Sequence, residues 1–367
     1  MAFRKLRVLI VDDSLLFRET LARELSKDFG IEVIGTAEDP YAATKLINEL
    51  HPDVITLDVE MPKMSGIEFL RRVLPQYPLP IVVVSSVAEN VFDALDAGAV
   101  DFVTKPSAEH GGMPAFVADL IIKLKVAATA KVRQPMPRGT TRASGQVPGT
   151  AASAGGIGPA PTPLNTSGLP GGSGSMDPNK YIAIGASTGG TDALYAVLTG
   201  LPADIPGIVV VQHMPTGFTK LFADRLNSSC KFAVKEAQDG DVIRQGQCII
   251  AAGDHHLKVQ RNGSGYSITS RNGEKVSGHC PSVDAMFTSI AENADCTKFI
   301  GVILTGMGRD GADGMLKMRN AGAYTIGQDE ATAIVYGMPK VAYDIGAVQT
   351  QLPLQNIAAD IIKHASK

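Results

Sequence analysis

Short apolar, β-branched runs recur along the chain, each followed by a polar turn and then by a stretch with helical spacing. In the first third these runs are Leu6–Val11, Glu32–Gly35, Val54–Leu57, Ile81–Val84 and Val100–Val103. Their length and composition predict five strands. Ser14–Phe29 opens on a capping-type Asp13-Ser14, carries Leu21, Ala22 and Leu25 on one face and stops at Gly30, which predicts a helix. The pattern resumes further on. Tyr181–Ala186, Gly207–Val211, Cys248–Ala251 and Phe299–Leu304 are predicted strands, with helices over 190–199, 216–227, 282–294 and 311–321 and a polar hairpin insertion over 255–275. Strand–helix alternation with apolar strands predicts an α/β fold: two domains, each a doubly wound parallel sheet.

Between the two blocks the pattern breaks down. Residues 131–179 hold 10 Gly and 8 Pro in 49 positions, a composition that cannot bury enough apolar surface to offset ordering entropy. A flexible coil spanning on the order of 40 Å is the expectation. The division is therefore a first domain over 1–128, a linker over 129–179 and a second domain over 180–367, which suits a length of 367 residues.

Composition narrows the class. Apolar residues at 44% and charged residues at 19% exclude a wholly disordered chain. The net charge of −3 divides into about −6, +3 and 0 over residues 1–125, 126–179 and 180–367, so no block has the basic surplus that nucleic-acid binding requires. Cys230, Cys248, Cys280 and Cys296 lack metal-ligand spacing and are expected to be reduced packing residues. The basic N-terminus is followed by only four apolar residues before Asp12-Asp13, and no run is long enough to span a bilayer. A cytoplasmic location without membrane insertion is expected.

Candidate chemistry lies at the strand ends, where open parallel sheets bind ligands. In the first domain Asp12 and Asp13 follow the first strand, Asp58 ends the third, Ser85 ends the fourth and Lys105 follows the fifth. A strand order of 2-1-3-4-5 would bring them together. Taken singly, each is a helix cap or a solvated loop residue. Together, three carboxylates call for a cation, and hard oxygen ligands suit Mg²⁺. Asp58 is then a candidate phosphoryl acceptor, with Lys105 neutralising the phosphoryl oxygens and Ser85 moving to hydrogen-bond them.

In the second domain Gly185-Ala186-Ser187-Thr188-Gly189-Gly190 lies between a strand and a helix and fits a turn that exposes a serine. A dinucleotide loop is the rival reading, but it would need glycine at 187 and an acidic end to the next strand. His213 follows the strand Gly207–Val211, and Asp310 follows Phe299–Leu304. Ser187 as nucleophile, His213 as base and Asp310 as the group orienting the imidazole form a triad on one sheet edge. His255, His256 and His279 compete with His213, and Asp313 with Asp310. The backbone N–H near Met307 is a candidate oxyanion donor.

Residues 6–125 resemble a response-regulator receiver domain, through Val11-Asp12-Asp13-Ser14, Leu57-Asp58-Val59-Glu60-Met61-Pro62, Ser65-Gly66, Ser85-Ser86 and Thr104-Lys105-Pro106. The resemblance implies phosphorylation of Asp58 by a histidine kinase, Mg²⁺ on Asp12, Asp13 and Asp58, and a cis bond before Pro106. It makes Ser85, Phe102 and Lys105 the switch residues, with Phe102 standing where many receivers have tyrosine. Residues 180–365 resemble the chemotaxis protein-glutamate methylesterase/glutaminase family, through Ile184–Gly190, Gln212-His213-Met214-Pro215, Pro281-Ser282-Val283-Asp284, Leu304–Gly311 and Tyr336-Gly337-Met338-Pro339. That resemblance implies the triad Ser187, His213 and Asp310, oxyanion groups at Thr188 and Met307, no cofactor for the ester chemistry, and chemoreceptor helices as substrate for a monomeric enzyme. The alternative is a non-enzymatic, receiver-switched adaptor that binds receptors or kinase.

Overall fold

The computed structural model describes residues 4–106, 112–132 and 175–367. The first domain alternates β1 (Leu6–Val11), α1 (Leu15–Leu25), β2 (Ile31–Ala37), α2 (Pro40–Leu50), β3 (Val54–Asp58), α3 (Gly66–Val73), β4 (Ile81–Ser85), α4 (Ala88–Asp96), β5 (Asp101–Thr104) and α5 (Gly112–Ala127). Its strands form one parallel sheet in the order β2-β1-β3-β4-β5. Helices cover both faces, so β3 and β4 are buried along their whole length. Each fully buried Val, Ile or Leu contributes about 1.5–3 kcal/mol. Helix α1 is shorter than the predicted Ser14–Phe29. The Ser26 hydroxyl donates to the Ala22 carbonyl and Asp28 accepts from the Gly30 N–H, so residues 26–30 form a turn.

The second domain runs β6 (Tyr181–Ala186), α6 (Gly190–Thr199), β7 (Gly207–Gln212), α7 (Phe218–Ser229), β8 (Ala233–Glu236), β9 (Gln247–Ile250), β10 (His255–Asn262), β11 (Gly265–Asn272), α8 (Val283–Asn293), β12 (Phe299–Ile303), α9 (Ala312–Asn320), β13 (Tyr324–Gln328), α10 (Met338–Asp344), β14 (Thr350–Leu352) and α11 (Leu354–Ala365). Seven strands form a parallel sheet, β14-β13-β12-β6-β7-β9-β8. The predicted insertion is the antiparallel hairpin β10–β11. Strands β8, β13 and β14 lie beyond those the pattern predicts. β8 and β14 are short edge strands, and β13 carries buried Thr325 and Gln328 whose side chains bond the backbone of Ala347 and Thr305, which hides an apolar run. All four cysteines are free.

Most of the predicted linker, 129–179, lies outside the described residues; both of its described ends touch the second domain. The Lys131 N–H donates to the Ile334 carbonyl at 3.0 Å, and Met176 is buried with Asp177 bonded to Ala365. Further contacts join the two domains. Phe102 stacks on Phe218 (centroids 4.8 Å apart), Phe92 stacks on Phe222 (5.9 Å), and Arg225 lies over Phe92 while pairing with Asp96 and with Asp93 at 3.7 Å. The β5 edge of the first sheet, with α4, thus faces α7. No described helix is long and apolar enough to cross a membrane.

Candidate active site

In the first domain β1 and β3 are neighbours at the point where the chain changes direction across the sheet, and their carboxyl ends bring Asp12, Asp13 and Asp58 together. Ligand oxygens from the three lie within 4.8 Å of one another. Such hard oxygen donors fit Mg²⁺. Lys105 Nζ lies 2.7 Å from Asp58 Oδ2 and 3.0 Å from Asp12 Oδ2. Burial works against its charge, but the hydrogen bonds and charges of Asp58 and Asp12 outweigh it and raise the Lys105 pKa. Burial pushes Asp12 up, against the Lys105 and Ser14 bonds. Ser85 is fully buried with its hydroxyl bonded to the Val87 backbone. Phe102 is buried against Phe218, under the Lys123 amine. The bond before Pro106 is not cis; the cis peptide among the described residues is Cys280–Pro281. Lys105 reaches both carboxylates with its loop in that form.

The second site is set by adjacency. Strands β12, β6 and β7 are neighbours, and Ser187, His213 and Asp310 follow them in space at one sheet edge. The His213 imidazole sits between the other two, with Nδ1 3.1 Å from Ser187 Oγ and Nε2 2.7 Å from Asp310 Oδ2. Asp310 accepts from Nε2–H, so the Nδ1 lone pair faces the serine. The ring nitrogens are thereby exchanged relative to the serine-protease arrangement, in which Nε2 takes the serine proton.

Asp310 is 1% exposed, a setting that would neutralise an unsupported carboxyl. It sits instead on the N-terminus of α8. Its Oδ1 accepts from Ser282 Oγ (2.8 Å) and Asp284 N (2.9 Å), and its Oδ2 accepts from Val283 N (2.8 Å). Burial raises its pKa, but the bond and charge of His213 and these donors prevail, and the carboxyl is held below its usual range.

The serine turn is closed by the loop after β12. Ser187 N donates to the Thr305 carbonyl at 3.0 Å. A Cβ at Gly306 would lie 2.7 Å from Ser187 Cβ and 2.4 Å from Met338 Sδ, so only glycine lets that loop approach. Met307, next in this loop, is 44% exposed at the cleft mouth. The Thr188 side chain is already engaged, because its hydroxyl donates at 2.5 Å to Asp101 Oδ2 of the first domain. A cavity of about 620 Å³ between the domains is lined by Ser187, His213, His279, Met307, Lys105 and Lys123.

The competing residues fall elsewhere, with one exception. Asp313 pairs with Arg309 on the surface, His255 bonds Gly253 and His256 bonds the Glu274 carbonyl. The exception is His279, whose ring stacks on His213 with centroids 3.8 Å apart and planes 10° apart. Burial, then the His213 charge, lowers its pKa to about 4, so it is neutral at physiological pH. The polar turn around His279 signalled proximity to chemistry, but nothing in the spacing signalled stacking.

A receiver-type domain and an α/β domain with a Ser–His–Asp constellation on its sheet edge together define a response-regulator hydrolase. The sequence matches the CheB methylesterase family over residues 182–361 and the response regulator receiver domain over residues 8–113. Protein-glutamate methylesterase/protein-glutamine glutaminase 2 of Syntrophomonas wolfei is 48% identical over 99% of this chain and 98% of its own. The corresponding protein of Syntrophotalea carbinolica is 47% identical over 98% and 97%. The crystal structure of the Thermotoga maritima CheB methylesterase catalytic domain is 39% identical, covers 50% of this chain and 97% of that one, and gives a TM-score of 0.49. The chain belongs to the protein-glutamate methylesterase/protein-glutamine glutaminase family.

Proposed function

We propose that the protein hydrolyses γ-methyl esters of glutamate on the cytoplasmic helices of chemoreceptors, deamidates selected glutamines there, and thereby serves sensory adaptation. The observation that carries this reading is the His213 imidazole bridging Ser187 Oγ and a buried, helix-anchored Asp310. Ser187 Oγ attacks the ester carbonyl carbon while His213 Nδ1 takes its proton, and the resulting imidazolium is stabilised by Asp310. Backbone N–H groups of Thr188 and Met307 receive the oxyanion. Collapse breaks the C–O bond, and the proton on Nδ1 goes to the leaving methoxide, releasing methanol. Water then attacks the acyl-serine and gives a proton to His213; collapse breaks the bond to Ser187 Oγ, the proton on Nδ1 returns to that oxygen, and the glutamate carboxyl group leaves. With a glutamine substrate the leaving group is ammonia.

The first domain is the regulator. Asp58 accepts a phosphoryl group from a histidine kinase, and Asp12, Asp13 and Asp58 are the residues that would hold a Mg²⁺, which would supply positive charge to the phosphoryl oxygens. The Ser85 hydroxyl leaves Val87 for the phosphoryl group. Phe102, buried against Phe218 and one residue from Asp101, reports the change to the interface. Unphosphorylated, the first domain holds Thr188 and narrows the approach to Ser187; phosphorylation shifts the population toward the undocked state.

The test is methanol release from methylated receptor membranes, with and without an acyl-phosphate donor and Mg²⁺. Ser187→Ala is expected to lower turnover on the order of 10³-fold or more. Phosphodonor is expected to stimulate wild type but not Asp58→Ala. Full activity in Ser187→Ala, or no release from wild type under any condition, would overturn the reading in favour of a binding module.

A further inference from the structure

We infer that Gln212 is a positioning residue, whose carboxamide nitrogen ties the main chain of the nucleophile to the main chain of the base. The inference rests on the roles proposed above for Ser187 and His213. Gln212 is the last residue of β7 and is 4% exposed. Its Nε2 donates to the Ser187 carbonyl at 2.9 Å and to the His213 carbonyl at 3.2 Å. A carboxamide nitrogen has two hydrogens, and here each meets one of these carbonyls. The opposite orientation would set an oxygen against two oxygens, so the partners fix which end is which.

The other end of the group is what makes this unusual. Oε1 is buried and has no hydrogen-bond partner among the described residues. Buried polar atoms are seldom left so, and a hydrophobic side chain of the same length would avoid the cost. Such exceptions concentrate where a site needs them. Oε1 also occupies the space over Gly190, where a Cβ would lie 2.1 Å from it. Glycine at the first position of α6 therefore leaves the room that the carboxamide fills, while the two carbonyls hold its nitrogen. Two other bonds complete the frame: His213 N donates to the Ala186 carbonyl (3.2 Å) and Gly190 N to the Ser187 carbonyl (2.7 Å). The separation of Ser187 Oγ from His213 Nδ1 is thus set by main-chain atoms that Gln212 holds in register, and proton transfer is steeply sensitive to such placement.

Two variants of the full-length protein test this. Gln212→Met fills the space without a donor, and Gln212→Glu keeps the shape but turns an acceptor toward both carbonyls. Each is measured for methanol release, for the rate of Ser187 labelling by a fluorophosphonate and for melting temperature. Gln212→Met is expected to lower kcat about 10- to 100-fold, with KM within about twofold, labelling slowed by a similar factor and melting unchanged or raised. Gln212→Glu is expected to lose more. The positioning role is overturned if Gln212→Met keeps kcat and labelling within about twofold of wild type, or if either variant loses them only in step with its melting temperature. Labelling needs no receptor, so a wild-type protein that labels at Ser187 yet releases no methanol refutes the substrate while leaving the Gln212 comparison readable.

Discussion

His279 shows what one residue adds to a site that its sequence position hardly advertises. It lies in a tight turn closed by backbone bonds between Val276 and His279, which Ser277 anchors by donating from its hydroxyl to Asp284 at 2.7 Å. That anchor lays its ring flat on His213. The pKa of His279 falls from an ordinary 6.5 to about 4 in the fold. Between those values the unfolded chain binds more protons than the folded one, so stability is full above pH 6.5 and declines as pH drops toward 4. His279→Phe keeps a flat ring there and removes the titration. Melting curves from pH 7 to 4 are expected to show a shallower loss of stability for this variant than for wild type. Identical slopes would place the acid sensitivity elsewhere. The grouping of Ser187, His213 and Asp310 was legible because Ser187 and His213 directly follow apolar strands and Asp310 lies in the glycine-rich turn after a third. The stacking ring was not, since a contact between two loops leaves no periodic trace.

Helix α8 is the element on which the hydrolytic site depends most. Its N-cap, Ser282, accepts from Ala285 N at 3.1 Å and donates to Asp310 at 2.8 Å, so one hydroxyl both starts the helix and orients the acid. Asp284, one residue into the helix, accepts from Gly314 N at 2.7 Å and ties α8 to α9. Burial raises the Asp284 pKa in spite of that bond. Ser282→Ala is expected to lose about 1–2 kcal/mol of stability in urea titrations and a few-fold in kcat, because Val283 and Asp284 amides still hold Asp310. A stability loss with unchanged kcat would confine Ser282 to capping. The sequence foretold this helix and the strands around it through their apolar runs. It did not foretell that Asp310 caps α8, because 26 residues separate Asp310 from Asp284 and only the sheet order joins them.

At the scale of the whole molecule, the contact between the domains is mixed. Two stacked phenylalanine pairs contribute about 0.5–1.5 kcal/mol each beyond their buried area, and Arg225 adds pairs to Asp96 and Asp93. Burial raises the Asp96 pKa against the pull of Arg225, which marks this pair as partly desolvated. Arg225→Glu replaces the attraction with repulsion. The expected result is a two- to fivefold rise in methanol release without phosphodonor, from a loss of about 0.5–1 kcal/mol of docking, with the fully phosphorylated rate unchanged. A basal rate equal to wild type would show that these contacts do not gate the cleft. None of this surface was legible in the sequence: Arg225 and Phe218 read as ordinary positions on an amphipathic helix until their partners, more than 100 residues away, are in place.

Strand β5 is an edge strand of its sheet, yet the N–H and C=O of its Phe102 are held within the first domain, by the Asp101 carboxylate and the Lys123 amine. In the docked molecule its Phe102 is covered by Phe218 and its Asp101 is occupied by Thr188. Undocking therefore does more than open the cleft. It exposes the Phe102 ring to water and frees the Asp101 carboxylate from Thr188, so each separation carries a solvation cost that favours closing again.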